Sequence, residues 1–297
     1  MEEKKIFGLL NDTVFKYVFT DRRCPGPLKC LLNGLLELQE DERIGEGALR
    51  IEVPVKVLEA IDDHGASFDA LARDNKGRIY HVEVQQKQQK HFGSRLLYYL
   101  SHHYGRQLKK GDWYGDLNKT VTLAIMNFTL FKTEPAVKNL FEMCKRNTEL
   151  VLTGEFEAYC LELEKFNGED PYALDRPLDR WLHLLKYSER YYTAKRLPEP
   201  LRQEEGLEMV MERMKEVNRK PKLRTRMEAI EKIRRDNANY VHDILVEVEE
   251  EMQKAHDINQ KAREEKRQIA RAMKAEGIET AVISRVTGFT GEDLAEI

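Results

Sequence analysis

The stretch SFDALARDNKGRIYHVEVQQK, from Ser67 to Lys87, sets two acids and a glutamine around a turn. Asp69 precedes the tetrapeptide Asp74-Asn75-Lys76-Gly77, and Glu83 and Gln85 follow it. Side chains alternate along a strand, so Glu83, Gln85 and Lys87 fall on one face. A hairpin turning at Asn75-Lys76 pairs residues whose numbers sum to about 151. Asp69 then faces His81 or Val82, with Glu83 diagonal to it, and a one-residue bulge puts both carboxylates on the same face. Two adjacent carboxylates repel unless a cation lies between them. A hard divalent ion such as Mg²⁺ takes one or two carboxylates and keeps waters or phosphate oxygens on its other positions. Such an ion polarises a phosphodiester and lowers the pKa of a bound water. Gln85 can orient a water or touch a phosphate by hydrogen bonding, but it is neither a base nor a cation. The same spacing also describes two solvated acids flanking a surface hairpin. His64, His81, His91, His102 and His103 surround the region without H-E-x-x-H spacing, and they read as surface or capping residues.

The elements that must position these groups follow from local patterns. Asn11 caps a helix over Asn11 to Asp21, with Phe15, Val18 and Phe19 on one side. Cys30 to Gln39 reads as a second, buried helix. Leu49 to Ala60 is β-branched and extended, although Pro54 suggests an edge or a break. SFDALARD and RIYHVEVQ are strands joined by the DNKG turn, where Gly77 takes positive φ. His91 to Leu108 is helical and ends near Gly111. Lys119 to Phe131 is the apolar run of a central strand, and Glu155 to Phe166 fits one more strand. The N-terminal half is therefore an α/β core.

The second half is mainly helical. Leu178 to Tyr192 is amphipathic, and LPEPLRQEEG reads as a linker because Pro198 and Pro200 interrupt helix. Glu228 to Lys274 is dense in charged residues, as expected of solvated helices whose apolar positions could also pair between subunits. From Ile269 onward, a helix ending at Gly277, a second holding Val282, Ile283 and Val286, a turn at Thr287 to Thr290 and a third from Gly291 resemble a helix-turn-helix. Arg271, Lys274 and Arg285 face a comparable number of acids there, so packing or oligomerisation is favoured over reading DNA. The expected divisions are residues 1–195, 196–267 and 268–297.

Composition bounds the classes. The chain has 297 residues, 41% apolar and 34% charged, with a net charge of −3, so it carries no strongly basic signature. No apolar run approaches the roughly 18 residues that cross a bilayer. The acidic N-terminus lacks a secretory cleavage pattern. Cys24, Cys30, Cys144 and Cys160 lack C-x-x-C spacing, which favours neither zinc nor disulfides and fits a cytoplasmic location.

Several motifs recur in a familiar order. N-D-x-V-F-K-x-V-F stands near the N-terminus, and F-D and E-x-Q lie across the D-N-K-G turn. F-x-x-R-x-x-Y-Y, Q-L-x-x-G-x-x-Y and a tail G-I-x-x-x-x-I-S-x-V-T-G-F-T-x-x-D-L follow. Over nearly the whole chain this resembles the PD-(D/E)XK nuclease family transposases, the Rpn recombination-promoting nuclease group. The resemblance implies a restriction-endonuclease-like core, a mixed central sheet flanked by helices, and a Mg²⁺-dependent DNA endonuclease that promotes recombination, with Mn²⁺ or Ca²⁺ as alternative ions. It carries the metal-binding acids onto Asp69 and Glu83, and Gln85 onto the position held by lysine in the wider superfamily. It also draws in Asp12, as an acid on the first helix, and Arg95, as a contact to phosphate or to the carboxylates. Lys87 is a candidate for the positive charge that Gln85 lacks. Tyr99 reads as core, and Gln107 has no assigned role. The competing reading is a catalytically silent DNA-binding or assembly protein of the same fold. A third is a structural homo-oligomer built on the C-terminal helices. No membrane partner is expected.

Overall fold

The computed structural model describes residues 5–52 and 70–296. Asp69 and Pro54 lie outside the described residues, as does the strand expected beyond Glu52. Two compact units cover residues 1–227 and 228–297. The division expected at residue 195 falls inside the first unit, and the one expected at 267 falls inside a helix.

The first unit is built on a six-stranded mixed sheet. Its strands are β1 (Leu49–Glu52), β2 (Ala70–Asp74), β3 (Ile79–Gln85), β4 (Thr120–Met126), β5 (Lys138–Glu142) and β6 (Phe156–Glu162), in the order β1-β2-β3-β4-β6-β5. The first two pairings are antiparallel, β3-β4 and β4-β6 are parallel, and β5 returns antiparallel to β6. All seven residues of β4 are buried, as an apolar strand covered on both faces requires. β5 is the strand that sequence patterning does not reveal. It is a mostly exposed edge strand without apolar alternation.

The DNKG turn forms as expected. Gly77 adopts φ 82°, and the buried Asp74 carboxylate accepts from the Lys76 and Arg78 amides, each at 2.9 Å. Arg78 Nε closes on the same carboxylate at 2.6 Å. The hairpin register pairs Ala70 with Val82 and Leu71 with His81, so paired numbers sum to 152 rather than 151. That is the one-residue step on which the face of every side chain depends.

One face of the sheet carries the large core. Tyr80 and Val82 of β3 pack there with α1 (Asp12–Phe19), α2 (Gly26–Leu36), α4 (Pro177–Tyr187) and α6 (Leu207–Arg219). Asn11 caps α1 by accepting from the Thr13 and Val14 amides, and Phe15, Val18 and Phe19 are fully buried. The other face is covered by α3 (Phe92–Gly105), whose Phe92 and Leu96 pack with Ala124, Met126 and Cys160. α3 stops at Gly105, earlier than expected. A bidentate clamp between Gln107 and Asn118 replaces its last turn, with Asn118 N donating to Gln107 Oε1 at 2.9 Å and Gln107 Nε2 to Asn118 O at 2.8 Å.

The stretch expected as a linker instead begins a helix, α5 (Glu199–Gln203). Pro198 precedes its first turn and Pro200 lies within it, where a missing N–H costs no helical bond. Leu201 and Leu207 are fully buried in the large core, and Asn218 exchanges hydrogen bonds with the backbone of Phe7 at 3.0 and 2.9 Å. These contacts bind the segment after residue 195 to the N-terminus.

α7 (Pro221–Ala275) is a single 55-residue helix. In the second unit it is followed by α8 (Thr280–Thr287) and α9 (Gly291–Ala295), with Gly277 and Gly288 at positive φ in the two turns. Ala270, Ile283, Phe289 and Leu294 form its small core, and a Thr290–Asp293 capping box starts α9. Val282 and Val286 point outward. No helix among the described residues is long and apolar enough to cross a membrane.

Gly77→Ala tests how far the hairpin depends on its turn. An added Cβ meets Asn118 Oδ1 at 2.3 Å and must also adopt positive φ. The variant is expected to lose about 1–3 kcal/mol of stability, read as a lower urea midpoint.

Candidate active site

Glu83 lies near the middle of the sheet, beside Ala124 of β4, which in turn pairs with Cys160 of β6. Neither neighbour in that row is charged. The Glu83 residue is only 5% exposed, and burial raises its carboxyl pKa against the opposing pull of Arg95. Arg95 sits one turn into α3. Its guanidinium donates to Glu83 Oε1 at 2.5 Å and to Gln85 Oε1 at 3.1 Å, and a third contact reaches Gln89. The Phe92 ring lies beneath the guanidinium, 5.1 Å from its carbon. Glu83 Oε2 is buried with no hydrogen-bond partner among the described residues. The site thus presents a half-satisfied carboxylate, a carboxamide oxygen and one shared guanidinium.

Behind Glu83 on the same face lies His81, fully buried, against Tyr99 at 5.5 Å and His103 at 5.2 Å between ring centroids. Burial, His103 and Arg95 push the His81 pKa well below its usual value. Burial, His102 and Arg106 bring that of His103 down to about 4. Both rings are therefore neutral near pH 7, and Arg95 is the cation that faces Glu83. His81 and His103 are interior residues, not surface or capping ones. Spacing puts His81 on the strand face of Glu83, two residues before it, and His103 on the helix face of Tyr99, four after it; the packing of α3 across β3 then buries both.

The other expected site residues are placed as follows. Gln85 ends β3 and donates through Nε2 to the Lys87 carbonyl at 3.2 Å. Lys87 lies beyond the strand in an exposed bend, so strand alternation does not carry it onto the face of Glu83. Gln86 Nε2 donates to the Leu10 carbonyl at 2.6 Å, which ties the end of β3 to the residues before α1. Asp12 follows two residues later and forms an exposed ion pair with Lys16 at 3.0 Å. Tyr99 is buried as expected, and Gln107 is the loop clamp already described. Among the described residues no three His, Cys, Asp or Glu side chains converge as a metal cluster. Asp69 is outside them.

Residues 9–244 match the family model described as PD-(D/E)XK nuclease family transposase. The chain belongs to that family. Residues 263–297 match a second model, the C-terminal HTH domain of the Rpn/YhgA-like nuclease family, and cover the end of α7 with α8 and α9. That match agrees with the helix-turn-helix expected for the C-terminal tail. No curated protein and no solved structure matches the chain. The mixed sheet with helices on both faces is the PD-(D/E)XK architecture expected from the sequence resemblance.

A buried carboxyl with a raised pKa makes stability depend on pH in a definite sense. The folded state holds the proton more tightly than the unfolded chain, so stability falls as pH rises from the ordinary carboxyl value of 4.5 through the folded value. Glu83→Gln removes this titration. Urea unfolding from pH 4 to 8 is expected to show the stability difference moving in the variant's favour as pH rises, because only wild type loses stability to this titration.

Proposed function

We propose that this chain is a divalent-metal-dependent DNA endonuclease whose acid pair is Glu83 and Asp69. The observation that carries the reading is the buried Glu83 Oε2, left open beside Gln85 in a chain of the nuclease family. A buried carboxylate oxygen without a donor is costly unless a cation or donor meets it. Oxygen donors of this kind suit a hard divalent ion, and Mg²⁺ is the ion proposed, with Mn²⁺ or Ca²⁺ as alternatives. Glu83 Oε2 would hold it together with Asp69. One further step of the β2–β3 register, from Ala70↔Val82, would set position 69 opposite position 83, which is the pairing the proposal requires. When bound, such an ion polarises the scissile phosphodiester and acidifies water near it.

The protein's own groups divide the remaining work. Arg95 fixes Glu83 through Oε1, and Oε2 has no hydrogen-bond partner among the described residues. Arg95 is a quarter exposed and also serves as the proposed phosphate contact. Lys87, exposed just past β3, adds positive charge for the DNA backbone, and Asp12 stands as an auxiliary acid near the end of β3. The helix-turn-helix unit supplies a separate DNA contact. Recombination is the process proposed for the cleavage. Four free cysteines agree with a cytoplasmic setting. Leu245, Val248 and Met252 are exposed at three- and four-residue spacing on α7, which supports self-association through that helix.

The test is cleavage of supercoiled plasmid with and without Mg²⁺. Wild type is expected to nick or linearise the plasmid only with the ion. Folded Glu83→Gln and Asp69→Asn proteins are each expected to lose more than about 100-fold of that rate. Lys87→Met is expected to slow cleavage several-fold. Absence of cleavage with Mg²⁺, Mn²⁺ and Ca²⁺ would favour the silent DNA-binding reading.

A further inference from the structure

The Gln107–Asn118 clamp closes a short loop that is built to be seen. Inside it, Lys109 N donates to Asp112 Oδ2 at 2.7 Å, and the amides of Asp116 and Leu117 donate to the carbonyls of Trp113 and Tyr114 at 3.0 and 3.2 Å. Despite this internal order, its two aromatic residues face solvent: Trp113 is 73% exposed and Tyr114 82%. The six-membered edge of the indole lies beside Gly115, a residue with no side chain to cover it. An exposed indole buries no core area, so packing does not account for it.

The surroundings are cationic and lead toward the site. Arg106, Lys109 and Lys110 stand exposed beside the aromatic pair, against Asp112 and Asp116, and one Asp112 oxygen already accepts from the loop backbone. Along α3 the same track continues. Tyr98 is half exposed and stacks with His102 at 5.9 Å, and His102 contacts Arg106 at 3.2 Å. Positions 95, 98, 102 and 106 share one helix face, so the track runs from the Glu83 partner Arg95 to the loop over about 15 Å of helix.

Flat aromatic faces interleaved with cations recognise unpaired bases on a phosphate backbone. Stacking uses a π-face that every base offers but a duplex conceals. We infer that Trp113, Tyr114 and the outer face of α3 form a platform for single-stranded DNA, so that the preferred substrate carries an unpaired segment next to the cleaved bond. This inference rests on the nucleic-acid reading of the site above and adds the strand state of the substrate. A protein partner on the same face is the competing occupant.

The experiment is binding of a short fluorescent single strand, and of the same sequence as a blunt duplex, to the full chain in EDTA. The single strand is expected to quench the exposed Trp113 emission, whereas Trp181 is fully buried and does not respond. Trp113→Ala with Tyr114→Ala is expected to weaken single-strand binding roughly tenfold or more. Duplex binding through the helix-turn-helix should stay unchanged, and Trp113→Phe with Tyr114→Phe should restore most of the loss. Unchanged single-strand affinity in the alanine variant, or an equal loss for both DNAs, overturns the inference. So does self-association that the alanine variant abolishes without any effect on DNA. Wild type separates the two readings: preferential single-strand binding in EDTA without any cleavage on addition of Mg²⁺ removes the nuclease reading and leaves this one standing.

Discussion

A buried carboxylate cannot be left alone in a sheet, and that constraint organises the first unit. Glu83 sits between apolar neighbours on β3, where desolvation disfavours its charge. α3 crosses the same face and delivers Arg95 to Oε1, so the placement of α3 and the ionisation of Glu83 are one interaction. The turn after β3 is held from the other side by Gln86 on the Leu10 carbonyl, which draws the capped start of α1 to the same end of the strand. Helix and N-terminal segment are thus both fastened to β3, one at Glu83 and the other just past its end.

The two faces of the sheet are unequal for a physical reason. The face toward α1, α2, α4 and α6 is almost wholly apolar and supplies most of the hydrophobic stabilisation. The α3 face mixes a small apolar cluster with His81, Glu83, Gln85 and Thr122. Such a face contributes less to stability per residue and is tolerable only because the large core lies behind it. Keeping His81 and His103 neutral matters in the same way, since protonating His81 would add a buried positive charge near Arg95, and protonating His103 one near Arg106.

The strong local signals were readable in the sequence. The Asn11 cap, the DNKG turn and the apolar run of β4 each rest on chemistry within a few residues, and each forms where expected. What failed depended on partners far along the chain. β5 owes its existence to pairing with β6, and the prolines at 198 and 200 start a helix because Leu197 and Leu201 find a core to enter. α3 was drawn too long because the clamp between Gln107 and Asn118 is a contact of eleven residues' separation that no helical periodicity contains. In the site, alternation grouped Glu83 with Gln85 correctly, but it was extended one step too far, to Lys87, because nothing local marks the end of β3. The burial of His81 and His103 depended on α3 lying across β3, which is tertiary information.

The identity of residue 85 follows from the same interaction. The wider pattern implied by the sequence resemblance places a lysine there, yet the Gln85 carbonyl oxygen accepts from the Arg95 guanidinium at 3.1 Å. A lysine has donors only and would set an ammonium against that guanidinium in a partly buried site. A glutamine accepts the hydrogen bond, keeps the local charge to one cation for one carboxylate, and turns its amide to the Lys87 carbonyl. Arg95 thereby brings a positive charge to this pair from a helix instead of the strand. Its Nη2 donates to both Glu83 Oε1 and Gln85 Oε1, while Nη1 turns to Gln89. The residues at 83, 85 and 95 are therefore best understood as one set, in which changing any member alters what the other two can hold.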